Sequence, residues 1–170
     1  MKRLAACLLA GLMHPALGGD PPPLVPQHQG YDFDRPEILL RQQLFGLAHG
    51  AALLATACLE EAVQAPAALE AYSAWRQRQR TSLEAIVNDL AAYYFGPRAG
   101  EAAWDDIARA LKLAEDVKTP LAQTPLEDAC RTLPTALIRE RFEFERLLHE
   151  AQIAVSPAPT PVERGNVKSQ

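Results

Sequence analysis

Residues 75–80 form the most unusual local pattern in the sequence, because three arginines alternate there with glutamines after a tryptophan. In a helix, Arg76 and Arg80 share one face with Trp75 beside them, since side chains four positions apart lie one above the other. Two such guanidiniums can bind a carboxylate or a phosphate group bidentately. The alternative is a solvent-facing surface in which Arg80 forms an i,i+4 ion pair with Glu84. Charge runs on helices usually face solvent, which favours this second interpretation.

His49 is the histidine that deserves most weight as a functional group, because it lies in the middle of a predicted helix, one position off its apolar stripe. An imidazole there could ligate a metal or haem, or titrate near neutral pH. A single ligand does not define a metal site, so a boundary histidine with one hydrogen bond is the favoured interpretation. We keep His49, Trp75, Arg76 and Arg80 as candidate ligand-binding residues around a central cavity, and we predict no metal site.

The sequence contains none of the common motifs for catalysis or cofactor binding. It has no CxxCH haem attachment, no CxxC redox pair, no HExxH zinc motif and no Gly-rich phosphate loop. Paired ExxH motifs, which carboxylate-bridged di-iron bundles require, are also missing. We therefore predict no catalytic residue and no cofactor, and enzyme activity ranks third among the functions considered.

The N-terminus has the pattern of a secretory signal. Lys2 and Arg3 form a positive n-region, residues 4–13 supply an apolar h-region, and small residues precede a cleavage point after Gly18. The apolar run is shorter than the about 20 residues that a membrane span needs. An amphipathic anchor is the poorer alternative, because proline and glycine interrupt it. We predict a signal peptide at 1–18, a periplasmic or secreted location, and no stable membrane span after its removal.

Removal of that signal would leave two cysteines, Cys58 and Cys130. In an exported chain, two cysteines predict one structural disulfide, whereas a chain kept in the cytoplasm would hold two buried thiols. Cys58 ends the apolar stripe of the first predicted helix, so its sulfur should face the interior. Cys130 lies on a short predicted helix that has little length to stabilise itself. The bridge would hold that helix against the first one.

Composition defines the fold class and excludes one class of partner. The 170 residues include 30 Ala and 24 Leu but only 7 Val and 5 Ile, which excludes an all-β protein and disfavours an α/β sheet. The length suits one domain. The formal charge of −4 lacks the dense cationic face that nucleic-acid binding requires.

The apolar periodicity predicts an all-α fold, arranged as an antiparallel four-helix bundle with a proline-broken fourth helix and flexible Pro-rich ends. Asp34 with Glu37, and Thr124 with Glu127, have the spacing of capping boxes at helix starts. The predicted helices cover 34–63, 66–95, 101–115 and 125–152, the last interrupted at Pro134.

Proline content divides the chain further, because 14 prolines concentrate at the two ends and at predicted helix boundaries. After the signal peptide we predict a flexible leader at 19–33, a single helical-bundle domain at 34–153 and a disordered Pro-rich tail at 154–170. Such ends can tether a domain or present extended segments to a partner.

These observations favour an exported, periplasmic, non-enzymatic helical interaction or accessory protein with an unknown protein partner in the cell envelope. The alternative is a periplasmic helical bundle that binds a small ligand or a metal. The polar positions 76–79 discriminate between the two. If they point into a cavity beside His49, ligand binding is favoured, and if they point outward, protein interaction is favoured.

Overall fold

The computed structural model describes residues 22–117, 121 and 123–155, with side chains described as far as residue 153. Over these residues the chain is helical without any strand, so the all-α prediction is confirmed. The α-helices are α1 Pro36–Ala57, α2 Ala65–Arg78, α3 Arg80–Phe95, α4 Trp104–Leu111, α5 Leu126–Ala136 and α6 Phe144–Val155. Short 3₁₀ turns lie at Cys58–Glu60, Gly96–Glu101 and Glu140–Phe142. The predicted signal peptide, the first three leader positions and the tail beyond 155 lie outside the described residues.

The central element is α1, which contacts each of the other five helices. It begins at Pro36 because proline suits the first turn, and within the described residues no side chain caps it. The predicted capping role of Asp34 is therefore wrong. Instead, the carboxylate of Asp32 accepts hydrogen bonds from the backbone N–H of Asp34 and from the Nε of Arg35. Among the described helices, Pro36–Glu60 is also long and apolar enough to cross a membrane by composition, a test that core helices of soluble proteins pass as well.

The second predicted helix is divided into α2 and α3 at Gln79. The side chain of Gln79 is only 4% exposed, and its Oε1 accepts a hydrogen bond from the backbone N–H of Phe144 at 3.0 Å. The interruption is local, because Gln79 N–H still bonds to Trp75 O and Leu83 N–H still bonds to Gln79 O. The buried side chain of Gln79 thus marks where the start of α6 attaches.

The third predicted helix is shorter in the structure, because a tight turn precedes α4 and a left-handed residue ends it. Gly96 has a φ of +52°, and a Cβ at this position would lie 2.7 Å from the side chain of Gln27. The carboxylate of Asp106 accepts the backbone N–H of Ala103 and so satisfies the start of α4. Lys112, with a φ of 58°, ends the helix.

In the fourth predicted helix the break lies after Pro134 rather than at it. Pro134 is inside the last turns of α5, which continues to Ala136. The chain then passes through the 3₁₀ turn at Glu140–Phe142 before α6 begins at Phe144. Pro125 stands at the cap position of α5 without a side-chain cap within the described part, so the predicted cap of Thr124 is wrong.

Cys58 and Cys130 join the end of α1 to α5. Their sulfurs lie 2.02 Å apart and their Cα atoms 5.6 Å apart, so the predicted pair is at disulfide distance. Both side chains are buried within the apolar core. The contact holds the short α5 to the most highly connected helix, as the sequence predicted.

Residues 22–33, which we call the strap, lie against the helices in irregular conformation. Gln27 N–H bonds to Tyr94 O at 2.7 Å, and Gly30 N–H bonds to Ala110 O at 2.8 Å. The sequence predicted this stretch as part of a flexible leader and offered no expectation of these contacts. They fix where the chain enters α1.

A buried hydrogen-bond network joins the strap to α1 and α3. Gln42 of α1 is fully buried, and its Nε2 donates to Tyr94 Oη at 2.7 Å. The Oε1 of Gln42 accepts the backbone N–H of Asp32 at 2.8 Å, and the Tyr94 hydroxyl donates to Gly30 O at 2.7 Å. These bonds satisfy both ends of the only amide side chain buried in α1.

Candidate functional site

The main candidate site is a surface groove of about 720 Å³ along α2 and α3. We call it the arginine groove. Its charged, aromatic and apolar walls are Tyr72, Arg76, Arg80, Leu83, Val87 and Trp104. Four polar side chains complete the lining, namely Ser73, Gln77, Glu84 and Asn88. A volume of this size lies in the range typical of ligand pockets, roughly 300–1,000 Å³.

Arg76 and Arg80 both point into this groove from an exposed position. Their four-residue spacing places them one above the other, because the hydrogen bonds of the helix continue through Gln79. The predicted ion pair between Arg80 and Glu84 is not formed, although both side chains line the groove. Two guanidiniums are therefore available to a bound anion.

The pairing of arginines across the described residues distinguishes this region from the rest of the surface. Six arginines pair with carboxylates, namely Arg35, Arg41, Arg98, Arg109, Arg131 and Arg146. Within the described residues, those without a carboxylate partner are Arg76, Arg78, Arg80, Arg139 and Arg141. Of these, Arg141 lies over the ring of Phe142. All five belong to two segments, 76–80 and 139–141.

Two buried hydrogen bonds hold these segments next to each other. Trp75 Nε1 donates to Phe142 O at 3.0 Å, and Gln79 Oε1 accepts from Phe144 N–H. Trp75 is 1% exposed and packs edge-on against the rings of Phe142 and Phe144. The candidate Trp75 therefore lies in the core and supports the groove from behind, instead of lining it.

His49 lies apart from the two arginines, in a smaller pocket of about 290 Å³ beside Ala114 and Glu115. Both of its ring nitrogens have partners. Nε2 is 2.8 Å from Ala114 O, and Nδ1 accepts the Nε1–H of Trp104 at 3.0 Å. Since Nδ1 accepts from Trp104, Nε2 must donate to the Ala114 carbonyl, so no lone pair is left open and His49 does not fit the role of a metal ligand in this arrangement. No cluster of three metal-ligating side chains occurs in the part of the chain that the structure describes.

Trp104 connects the two places, because it lines the arginine groove and hydrogen-bonds to His49. Its ring also packs on Phe45 with centroids 4.3 Å apart. The structure places Trp104 half-buried at the edge of the core. His49 is thus a positioning residue for one wall of the groove.

A second polar cluster lies at the strap, and its groups are satisfied by one another. The Arg35 guanidinium, which bonds to Asp32, holds the pKa of that carboxyl below its usual range. Burial raises the pKa of Tyr31, Tyr93 and Tyr94 above the ordinary value. Tyr93 donates to Asp32 and its ring is stacked on His28. Since Arg35 and Tyr93 both donate to Asp32 and Tyr94 donates to Gly30 O, we assign these bonds a role in stabilising the fold.

The comparisons with known proteins add no relative to this description. No family model, curated protein or solved structure matches the chain.

Proposed function

We propose that the chain is an exported, non-enzymatic helical interaction or accessory protein of the cell envelope, and that a protein partner binds in the arginine groove. The observation that carries the proposal is the exposed position of Arg76 and Arg80, which have no carboxylate partner within the described residues. The aromatic walls Tyr72 and Trp104 stand beside them. Arginine, tyrosine and tryptophan are the residues that contribute most energy to protein interfaces.

Export is supported by the signal pattern of the sequence and by the cysteine pair at disulfide distance. Disulfides persist in oxidising compartments and are rare in the cytosol. Pro36–Glu60 acts in this proposal as the core helix of a soluble domain. Its buried polar side chains, Gln42 and His49, bond to groups elsewhere in the domain, which a lipid environment would not provide.

The scaffold of the proposal is an antiparallel four-helix bundle in which α2 with α3, and α5 with α6, each form one broken helix. The contacts of α1 with every other helix support this arrangement. The domain division at 34–153 belongs to the same proposal. Distances between spin labels at the helix ends would test it, because antiparallel neighbours bring the end of one helix close to the start of the next.

A small anionic ligand is the second candidate occupant, favoured by the volume of the groove. A carboxylate or phosphate would bind the same two arginines. A metal-binding function gains no support from His49, whose two nitrogens are occupied by Ala114 and Trp104.

Site-specific photo-crosslinking in intact cells tests the proposed function. A photoreactive amino acid replaces Ser73 or Asn88, which line the groove, and Glu127 on α5, which is equally exposed and lies outside it. We expect one protein adduct of defined mass from the two groove positions and none from Glu127. The adduct is then identified by mass spectrometry, and the mature chain is sequenced from its N-terminus.

Two results would contradict the proposal. The interaction role fails if the groove positions give no adduct, or give the same set of adducts as Glu127. The export component fails separately if soluble cytoplasmic protein retains Met1 instead of beginning at or near Gly19.

A further inference from the structure

We propose that the arginine groove recognises an extended acidic segment of a partner protein, in which two carboxylate side chains alternate with other residues and an apolar side chain follows. This inference rests on the proposed function, because it specifies the partner of the same site. It concerns the pattern of side chains that the groove can hold.

The charge of the two groove arginines is complementary to an acidic partner. The chain carries 21 acidic against 17 basic residues, and six of the eleven arginines that the structure describes have a carboxylate partner. Arg76 and Arg80 do not, although Glu84 lies in the same groove. Guanidiniums left unpaired in an acidic protein are complementary to carboxylates supplied by another chain.

The spacing of the two groove arginines matches the repeat of an extended peptide. Arg76 and Arg80 are separated by four helical residues, which is about 6 Å along the helix axis. In an extended peptide, two residues correspond to about 6.6 Å, and alternate side chains point to the same side. Carboxylates at positions one and three of an extended segment therefore match the two guanidiniums, whereas adjacent carboxylates point to opposite sides.

Beyond Arg80 the groove becomes mainly apolar. Leu83, Val87 and the ring of Trp104 form apolar wall there, while Glu84 would repel a third carboxylate. An apolar side chain at position five of the segment continues the alternation and buries its surface on this wall. The expected pattern is thus acidic–x–acidic–x–apolar.

The same walls argue against a bare inorganic anion as the physiological occupant. Phosphate would contact the two guanidiniums but would leave the groove-facing surfaces of Tyr72, Leu83 and Trp104 uncovered. Recognition of acidic motifs by arginine clusters combined with apolar pockets is a recurring mode of peptide binding.

The experiment measures peptide binding by isothermal titration calorimetry to the purified, oxidised, exported chain. The probe is an acetylated and amidated peptide with the core Asp-Ser-Asp-Ser-Leu between glycine–serine flanks. Three peptides of equal length serve as comparisons. One has adjacent carboxylates, Asp-Asp-Ser-Ser-Leu, one is neutral, Asn-Ser-Asn-Ser-Leu, and one lacks the apolar group, Asp-Ser-Asp-Ser-Ser. Inorganic phosphate is titrated as a competitor.

We expect the alternating acidic peptide to bind most tightly, with an affinity that falls as salt concentration rises. Arg76→Ala and Arg80→Ala should each raise Kd about tenfold, because each removes a charge-assisted contact.

Arg78→Ala is the matched control. Arg78 is exposed, unpaired among the described residues and on α2 like Arg76, but it does not line the groove. Glu84→Gln should lower Kd. All four variants should retain wild-type helicity by circular dichroism, because the substituted side chains are exposed.

Several outcomes would overturn the inference. They are equal binding of the adjacent-carboxylate or neutral peptide, full competition by phosphate at the concentration of the peptide, and equal loss in Arg78→Ala. If no peptide binds while Ser73 still crosslinks to one protein, the inference fails and the proposed function stands. If neither peptide binding nor a crosslink is found, both fail.

Discussion

At its C-terminal end α1 meets α5 through Cys58 and Cys130, whereas nearer its N-terminal end it holds the strap through Gln42. The first region, which we call the disulfide end, is apolar, and its two sulfurs lie at bonding distance. The second, the strap end, consists of hydrogen bonds among an amide, a phenol and backbone groups. The same helix is therefore secured in one place by a contact that does not titrate and in another by a network that contains one titratable group, the phenol of Tyr94.

The two regions should respond differently to perturbation. A disulfide stabilises mainly by restricting the unfolded chain, so its effect spreads over the whole domain. A buried hydrogen-bond network acts locally, and its loss leaves unsatisfied groups at one place. Loss of the disulfide should therefore lower the stability of the whole domain more than loss of any single hydrogen bond at the strap.

The largest effect is expected at the disulfide end. Replacing Cys58 and Cys130 together with alanine should lower the free energy of unfolding by about 4 kcal/mol, because the loop between them spans 72 positions. Urea unfolding followed by circular dichroism measures the loss. Reducing agent should have no further effect on the double variant, and a wild-type protein equally stable with and without reductant would contradict the bond.

The next effect is expected at the strap end. Gln42→Ala removes an acceptor from Asp32 N–H and a donor from Tyr94 Oη, and should lower the free energy of unfolding by about 2–3 kcal/mol. The neighbouring Gln43 is exposed, so Gln43→Ala should change stability by less than about 0.5 kcal/mol. Hydrogen exchange should show faster exchange at Asp32 N–H in the first variant. Equal stability of the two variants would mean that the network does not hold the strap.

The contrast between these regions also explains what the sequence could predict. The residue type alone marks a cysteine as a candidate for a disulfide. Two cysteines in an exported chain leave one possible pairing. Gln42 gives no such indication, because a polar amide in an Ala- and Leu-rich helix is expected to face solvent. Its burial depends on Tyr94 and Gly30, which are distant in sequence and meet it only in the folded chain.

The sequence predicted only part of the groove. The spacing of Arg76 and Arg80 identified two of its residues, since helical periodicity is local. The position of Trp104 at the edge of the core depends on the short α4 and on its bond to His49, both of which follow from tertiary packing. Likewise, the capping boxes at Asp34 and Thr124 were overridden by prolines and by Asp32, whose contacts the local pattern does not contain.

Alkaline pH should weaken the strap end selectively. Burial raises the folded-state pKa of Tyr94 above the unfolded value of about 10, so its contribution is complete below about pH 10 and is lost as the pH rises further. Tyr94→Phe should cost about 1–2 kcal/mol at pH 7, because Gly30 O loses its shorter hydrogen bond and Gln42 Nε2 loses the Tyr94 hydroxyl as an acceptor. The variant should also have a shallower loss of stability above pH 10, measured by urea unfolding at several pH values. Tyr72→Phe, which removes a hydroxyl from the groove, serves as the control at pH 7 and should stay within about 0.5 kcal/mol of wild type. A Tyr94→Phe profile parallel to wild type would contradict the assignment.

The smallest effect is expected from acid at the surface of the strap end, where Asp32 bonds to Arg35 and Tyr93. Its hydrogen bond from Arg35 lowers the folded-state pKa, so its contribution is present above the unfolded value of about 4 and is lost as the pH falls through the folded value. Asp32→Asn removes that titration, so its urea midpoint should depend less on pH below about pH 4. Asp34→Asn is the matched control, because Asp34 is exposed and bonds to Asp32 through its backbone. The effect is small because both members of the Arg35 pair contact solvent, where ion pairs contribute little. If Asp32→Asn and wild type lose stability in parallel as the pH falls, the strap end is held by the buried amide and phenol, and the surface carboxylate adds nothing to it.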